Sequence, residues 1–310
     1  MPSADLPLAV GPAMKHTGGF DLFIVTLIAA GRLGHDVVGQ AAELCGGAET
    51  RWIDEGDAVD LLIGEVEDWR GLRDRLEAAL PGIDVVVQRA EERDKRLLVA
   101  DMDSTMIGQE CIDELADYAG VKDEVAAITE RAMQGELDFT GALAERLALL
   151  KGLDQSVIAQ CLRERIRPTA GAAVLVRTLK SLGVLTVLVS GGFTDFVGPI
   201  GERLGFDRIA ANRLGVDGGK LSGLTVGAIV DAQAKRRVAG AALAELGVGP
   251  DALVAVGDGA NDMPMIDLAG FGVGYRPKPA LATVADGIIR HHDLTALLWM
   301  QGIARRDWII

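Results

Sequence analysis

Residues 95–105 read Lys-Arg-Leu-Leu-Val-Ala-Asp-Met-Asp-Ser-Thr, a short apolar run that delivers two acids at its end. Leu97 to Ala100 has no polar alternation, the pattern of a strand buried on both faces of a parallel sheet. Asp101 and Asp103 then stand where that strand should stop. Side chains two apart on extended backbone point the same way, so both acids can face one pocket. In open α/β sheets ligands bind outside the carboxyl ends of the strands. Two carboxylates held that close are costly unless a cation lies between them or one is protonated. A strand end followed by an Asp/Ser helix cap would produce the same few letters, so the motif gains meaning only from what the other strand ends carry.

Downstream, the chain alternates. A helix over 172–182 ends at Gly183, and a strand over 184–189 runs into Ser190-Gly191-Gly192. Segments 208–216 and 220–224 flank Asp217-Gly218-Gly219, a hairpin signal. A helix over 232–246 carries Lys235, and a strand over 252–256 ends in Gly257-Asp258-Gly259-Ala260-Asn261-Asp262. Strands over 270–275 and 285–289 and a helix over 294–303 complete the series. Alternating strands and helices imply an α/β fold, a Rossmann-like parallel sheet with helices on both faces. Helices over 109–119, 123–134, 140–150 and 156–164 interrupt it just after the first acids. They read as a helical cap over the site, with Pro168-Thr169-Ala170-Gly171 returning the chain to the core.

Upstream of the acids, residues 1–20 read as a loose lead-in. Strands over 23–29, 50–54, 58–64 and 83–88 and helices over 35–44 and 68–80 follow. Their order is β-α-β-β-α-β, a ferredoxin-like α+β unit, similar to the ACT-type regulatory modules of amino-acid enzymes. Such a module would receive a small amino acid at the turn 31–36, or serve only to dimerise the chain or cover a sheet edge. The charged run Glu91-Glu92-Arg93-Asp94-Lys95-Arg96 reads as a solvated linker. The expected units are therefore 1–92 and 93–310, the second split into a core (93–107 and 168–310) and a cap (108–167).

The chain has 310 residues, 49% apolar and 25% charged, and a formal net charge of −14. That balance argues against nucleic-acid binding, which needs a basic face, and makes any phosphate site a local positive exception in a repelling field. No segment reads as a leader or is long and apolar enough to span a bilayer. Cys45, Cys111 and Cys161 are odd in number and unpaired in spacing, as in a cytoplasmic protein with reduced thiols.

Three strand ends thus carry small polar clusters: Asp101/Asp103, Ser190/Gly191 and Asp258/Asn261/Asp262. Asp-x-Asp-Ser-Thr, Ser-Gly-Gly-Phe, Asp-Ala-Gln-x-Lys and Gly-Asp-Gly-Ala-Asn-Asp stand in that order, and over roughly 97–293 the chain resembles the haloacid dehalogenase-like phosphatases, within them those acting on phosphoserine. The resemblance implies that Asp101 is the nucleophile and Asp103 the general acid and base. It implies Mg²⁺ held by Asp101, the Asp103 backbone carbonyl and Asp258. Lys235, Ser190, the Gly191 N–H and Asn261 would bind the phosphoryl group, with Asp262 orienting Lys235 or its loop. In the cap, Glu110 would meet the substrate ammonium and Arg146 its carboxylate, with Met133 and Phe139 as an apolar wall.

Each residue has a plainer reading. Lys235 beside Arg236 and Arg237 could be one of a solvated trio, Asp258 a helix cap, Glu110 and Arg146 ordinary surface charges. Met263 and Met265 read as core packing, Arg213 has no assignable role, and Gly272-Val273-Gly274 lacks the spacing of a dinucleotide fingerprint. The implied activity is hydrolysis of phosphoserine to serine, the last step of serine synthesis. Transfer of the phosphoryl group to another hydroxyl such as homoserine is the nearest alternative, and a non-catalytic amino-acid sensor a more distant one. The expected partners are a small-molecule substrate and a second copy docked through the N-terminal module, with neither nucleic acid nor membrane.

Overall fold

A computed structural model describes residues 22–133 and 136–310, the side chain of Met133 excepted, so the expected lead-in lies outside the described residues. Strands β1 (Phe23–Ile28), β2 (Glu49–Asp54), β3 (Ala58–Ile63) and β4 (Asp84–Arg89) form an antiparallel sheet in the order β2-β3-β1-β4. Helices α1 (His35–Leu44) and α2 (Trp69–Ala79) lie in its connections. Asp68 caps α2 by accepting a hydrogen bond from the Gly71 N–H at 2.8 Å, and Leu72, Leu76 and Leu80 bury its inner face. Phe23, Val25 and Leu27 of β1 pack under these helices.

The alternate residues of β1 are buried too, because residues from the far end of the chain cover the sheet's other face. Ile28, Ala58 and Val86 belong to the same apolar cluster as Trp299 and Met300. The Trp299 indole donates to Asp54 at 2.7 Å, and the Gln88 amide to the Met300 carbonyl at 2.6 Å. Asp84, 2% exposed, accepts from the main-chain N–H groups of Arg290, His291 and His292 and sits 2.8 Å from the His292 ring.

The charged run before Leu97 is not a solvated linker. Arg93 bonds Asp60 at 2.5 and 2.9 Å, Thr26 at 3.1 Å, and the carbonyls of Trp299 and Met300. Lys95 is 3% exposed and donates to the Asp251 carbonyl. A run of charges looks the same in sequence whether water or buried partners satisfy it.

The second sheet holds β5 (Leu97–Ala100) at its centre. Between β5 and the next strand come α3 (Cys111–Ala119), α4 (Lys122–Met133), α5 (Phe139–Leu149), α6 (Ser156–Glu164) and α7 (Ala172–Ser181). The chain continues through β6 (Leu185–Phe193), α8 (Thr194–Leu204), β7 (Arg208–Asp217), β8 (Lys220–Val226), α9 (Ala232–Leu246) and β9 (Leu253–Gly257). It closes with α10 (Met263–Leu268), β10 (Phe271–Tyr275), α11 (Pro279–Ala282), β11 (Gly287–Ile289) and α12 (Ala296–Met300). The strand order is β11-β10-β9-β5-β6-β7-β8, parallel except for the β7–β8 hairpin. Leu98, Ala100 and Leu188 face α7, α8 and α12, while Leu97, Val99, Val187 and Val189 face α9 and α10. This is the α/β sheet with helices on both faces, and β6 and β9 flank β5 directly.

Helix α8 has no counterpart in the sequence reading, because Gly198, Pro199 and Gly201 break the helical pattern. Packing overrides propensity here. Phe196, Val197, Ile200 and Leu204 are buried, and a side-chain carbon at Gly201 would come within 2.8 Å of Ile209. The cap helices α3–α6 join the core at a bridge between Ile107 and Pro168. A second attachment is made by the hairpin: Gly152 N–H donates to Leu221, Leu221 N–H to Leu153 and Gln155 N–H to Gly219, all at 2.8–2.9 Å.

Candidate active site

Strand β5 stops at Ala100, and the turn over Met102–Met106 swings the two acids apart. Ser104 takes a left-handed conformation there, at φ 54°, its hydroxyl donating to Glu110 at 2.7 Å. Asp101 points to the β9 side, where the Lys235 ammonium lies 2.6 Å from its Oδ1. The same ammonium donates to Asp262 at 2.7 Å. These three side chains are between 0 and 4% exposed. Oxygens of Asp101, Asp258 and Asp262 all lie within 4.8 Å of one another. Asp103 faces the opposite strand: it accepts the Cys111 N–H at 2.9 Å and the Ser190 hydroxyl at 3.1 Å.

The lysine reaches this point because Asp231 caps α9, accepting the Ala234 N–H at 2.7 Å, and the first turn then aims Lys235 across the ends of β5 and β9. It is a buried ion, not one of a solvated trio. Asp262 does more than hold Lys235. Its second oxygen accepts the N–H groups of Asp258 and Gly259 at 3.0 and 3.1 Å, which fixes the loop after β9.

On the other flank, Ser190 is 1% exposed and accepts the Gly192 N–H at 2.8 Å. A side-chain carbon at Gly191 would stand 3.0 Å from the Phe139 ring, and one at Gly192 would stand 2.9 Å from Asp103 Oδ2. Both positions are tight enough to favour glycine, and the first contact sets Phe139 of the cap against the Ser190–Gly192 loop. Arg146 is half-buried on α5, its guanidinium donating to the Ala142 carbonyl at 3.2 Å, and it feels the charges of Asp113 and Glu110. Asn261 lies beside Gly259. The Met133 side chain lies outside what the structure describes, Met265 is fully buried in the core, and Arg213 is exposed on β7.

Two residues have no place in the sequence reading. Lys278 sits 3.1 Å from Asp258 and donates its own N–H to the Asp258 carbonyl. Asn212, 1% exposed, binds the Gly191 carbonyl and the Val230 N–H. The only sequence signal for Lys278 is the Pro279 that starts α11 directly after it, and Asn212 stands beside Arg213 in an Ala-Asn-Arg-Leu stretch that resembles the haloacid dehalogenase-like phosphatases but carries no role with it.

The electrostatics of the acids follow from burial. Desolvation, then the neighbouring Asp262, raises Asp101 well above the usual carboxylate range, with Lys235 pulling the other way. Asp103 is raised by burial against the hydrogen bonds from Cys111 and Ser190. Burial, with Lys278 opposing, raises Asp258 as well. Glu110 is pushed up to about 7 by burial and then by Asp103. Burial works against the Lys235 charge, but Asp101 and Asp262 more than compensate and hold it protonated. Among the described residues, Asp101, Asp103, Glu110, Asp258 and Asp262 meet Lys235 and Lys278 as ammonium counter-charges. This all-oxygen, negatively unbalanced cluster suits a hard divalent cation such as Mg²⁺.

The family model for haloacid dehalogenase-like hydrolases matches residues 98–267. A phosphoserine phosphatase of Archaeoglobus fulgidus is 46% identical over 225 residues, covering 72% of this chain and 65% of that protein. Across the first curated relatives, the matched stretch takes in 52% to 65% of their length. A probable phosphoserine phosphatase from Vibrio cholerae superposes with a TM-score of 0.75 at 31% identity, over 93% of this chain and 88% of that one. A substrate-bound phosphoserine phosphatase complex gives a TM-score of 0.62 at 40% identity over 66% of this chain and 98% of that one. On the ordered motifs, the sheet that brings them together and these likenesses, the chain belongs to the haloacid dehalogenase-like hydrolase family.

Proposed function

We propose that the chain is a Mg²⁺-dependent phosphatase that hydrolyses O-phospho-L-serine to L-serine and phosphate through an aspartyl-phosphate on Asp101. The observation that carries this reading is the opposed pair of acids: Asp101 on Lys235 with Asp258 and Asp262 alongside, Asp103 on Ser190 across the pocket. A raised Asp101 is a poor nucleophile until positive charge lowers it, and the burial that raises Asp103 favours its proton-donor form. The two roles are separated by what each carboxylate faces.

Asp101 and Asp258 would hold the cation with the Asp103 backbone carbonyl, and Asp262 stands behind them, its oxygens engaged by Lys235 and the loop. A bound Mg²⁺ would neutralise phosphoryl and carboxylate charge. Asp101 attacks phosphorus while Asp103 hands its proton to the departing serine oxygen; Asp103 then takes a proton from the water that cleaves the acyl phosphate. Lys235, Ser190, the Gly191 N–H and Asn261 bind the phosphoryl oxygens. Glu110 receives the ammonium and Arg146 the carboxylate, with Phe139 as apolar wall.

The reading also assigns the described residues before 93 to an ACT-like module that joins two copies of the chain through the edge strand β2, where Glu49, Thr50 and Arg51 are exposed. Among the described residues no helix is long and apolar enough to cross a membrane. Phosphate release from phosphoserine, with Mg²⁺ and with EDTA, tests the proposal. Turnover should require the metal, and Asp101→Asn should abolish it, by at least about three orders of magnitude, in a folded protein. Retained turnover in that variant would refute the covalent step.

A further inference from the structure

The Gly191–Gly192 peptide is gripped at both ends. Its carbonyl accepts a hydrogen bond from Asn212 Nδ2 at 2.8 Å, and its N–H donates to Ser190 Oγ at 2.8 Å. Ser190 Oγ in turn donates to Asp103 Oδ2 at 3.1 Å. The hydroxyl accepts the Gly192 N–H on one lone pair and gives its single proton to Asp103, the proton for which a bound phosphoryl oxygen would compete. Asn212 cannot turn away. It is 1% exposed, and its Oδ1 accepts the Val230 N–H at 2.7 Å, which sets which end of the amide faces Gly191. Asn212 lies opposite Phe193 where β6 and β7 pair after an irregularity in the register. The side chain thus fills the place of main-chain pairing at the end of β6, where the strand leaves the regular ladder to form the phosphate-side loop.

We infer that Asn212 is a positioning residue: through the Gly191–Gly192 peptide it fixes the direction of the Ser190 hydroxyl and, with it, the carboxylate of Asp103. The chain of donors runs one way, from the Asn212 amide through the peptide and the serine to the acid, and consecutive hydrogen bonds aligned like this strengthen one another. The same amide ties the loop at Val230, one residue before the cap of α9, to the loop that holds Ser190. It thereby sets the spacing between the Ser190 side of the site and the helix that carries Lys235. This inference rests on the roles proposed for Ser190 and Asp103.

The test is a double-mutant cycle on kcat for phosphoserine, with Asn212→Asp and Ser190→Ala alone and together. The Asp keeps the shape and the acceptor for Val230 but turns an oxygen toward the Gly191 carbonyl. Alone it should lower kcat about 10- to 100-fold, as small misplacements at a reacting centre do. In the Ser190→Ala background it should lower kcat less than about 3-fold further, because the group it positions is gone. Losses that multiply fully would overturn the inference and leave Asn212 a structural residue. Should Asn212→Asp not fold, Asn212→Ala enters the same cycle. Hydrogen exchange at the Gly192 amide gives a readout independent of turnover. It should accelerate in either variant by more than at amides of the neighbouring strands β5 and β9, and a still-protected amide would sink the inference even in a protein that proved to have no phosphoserine activity.

Discussion

Replacing Lys235 by Met probes the centre of the site through stability alone. The ammonium is within 2.6 and 2.7 Å of two carboxylates, and all three side chains are essentially buried. At an effective dielectric of about 20, each contact is worth roughly 6 kcal/mol of gross Coulomb energy. Much of that offsets the desolvation of three ions, and the net penalty for removing one partner of a buried pair is about 3–5 kcal/mol. In a chain of this size that lowers the melting temperature by about 5–8 °C. The loss must depend on pH. Asp101 is already raised above its unfolded value by burial and Asp262, and without the lysine it rises further. A carboxyl raised in the folded state contributes its stability below the unfolded value, near pH 4, and forfeits it as pH climbs through the folded value. The Met variant should therefore be close to wild type near pH 4 and carry the full penalty at pH 7. Urea denaturation of both proteins in EDTA at the two pH values measures this. A loss under about 1 kcal/mol at pH 7, or one that does not change with pH, would refute the buried ion triad as the source of local stability.

Two further outcomes bear on substrate selection. Glu110, raised to about 7, binds an ammonium only when ionised, so kcat/KM for phosphoserine should fall as pH drops through about 7, and Glu110→Gln should abolish that limb; a limb that survives the substitution belongs to another group. Arg146→Ala should lower kcat/KM for phosphoserine about 10- to 100-fold, the worth of a charge-assisted pair of hydrogen bonds, with a smaller loss on a phosphate ester that lacks a carboxylate. Equal losses on both esters would remove Arg146 from the carboxylate site.

Much of this molecule was legible in one dimension because its information is local. An unbroken apolar run, a pair of acids at its end and a glycine-rich turn after a second strand are neighbours in sequence and remain neighbours in space, so Asp101, Ser190 and Asp258 could be read as strand-end residues. The cap helices were legible for the same reason, their apolar faces repeating every turn. Helix α8 was not, since its glycines and proline oppose helix formation and only the close fit against Ile209 rewards them.

The tertiary structure alone decided what each charge meets. Charge alone does not distinguish Lys235, locked between two buried acids, from Arg237 on the same helix with its side chain 69% exposed; only the Asp-Ala-Gln-x-Lys resemblance singles it out in the letters. Nor do the letters mark Arg93, which the sequence presents as one charge in a linker and the fold presents as a half-buried clamp between the antiparallel sheet and helix α12. Lys278 comes to the site from a stretch with no motif, brought there by a helix start, and Asn212 is brought there by strand pairing. Local propensity and hydrophobic period act over a few residues, whereas the energy of an ion or an amide depends on partners and burial that only the folded chain supplies. The sequence determined where the strands end and which acids stand there; the packing of one sheet, one cap and one antiparallel module determined which of those groups are paired, which are raised, and which face a substrate.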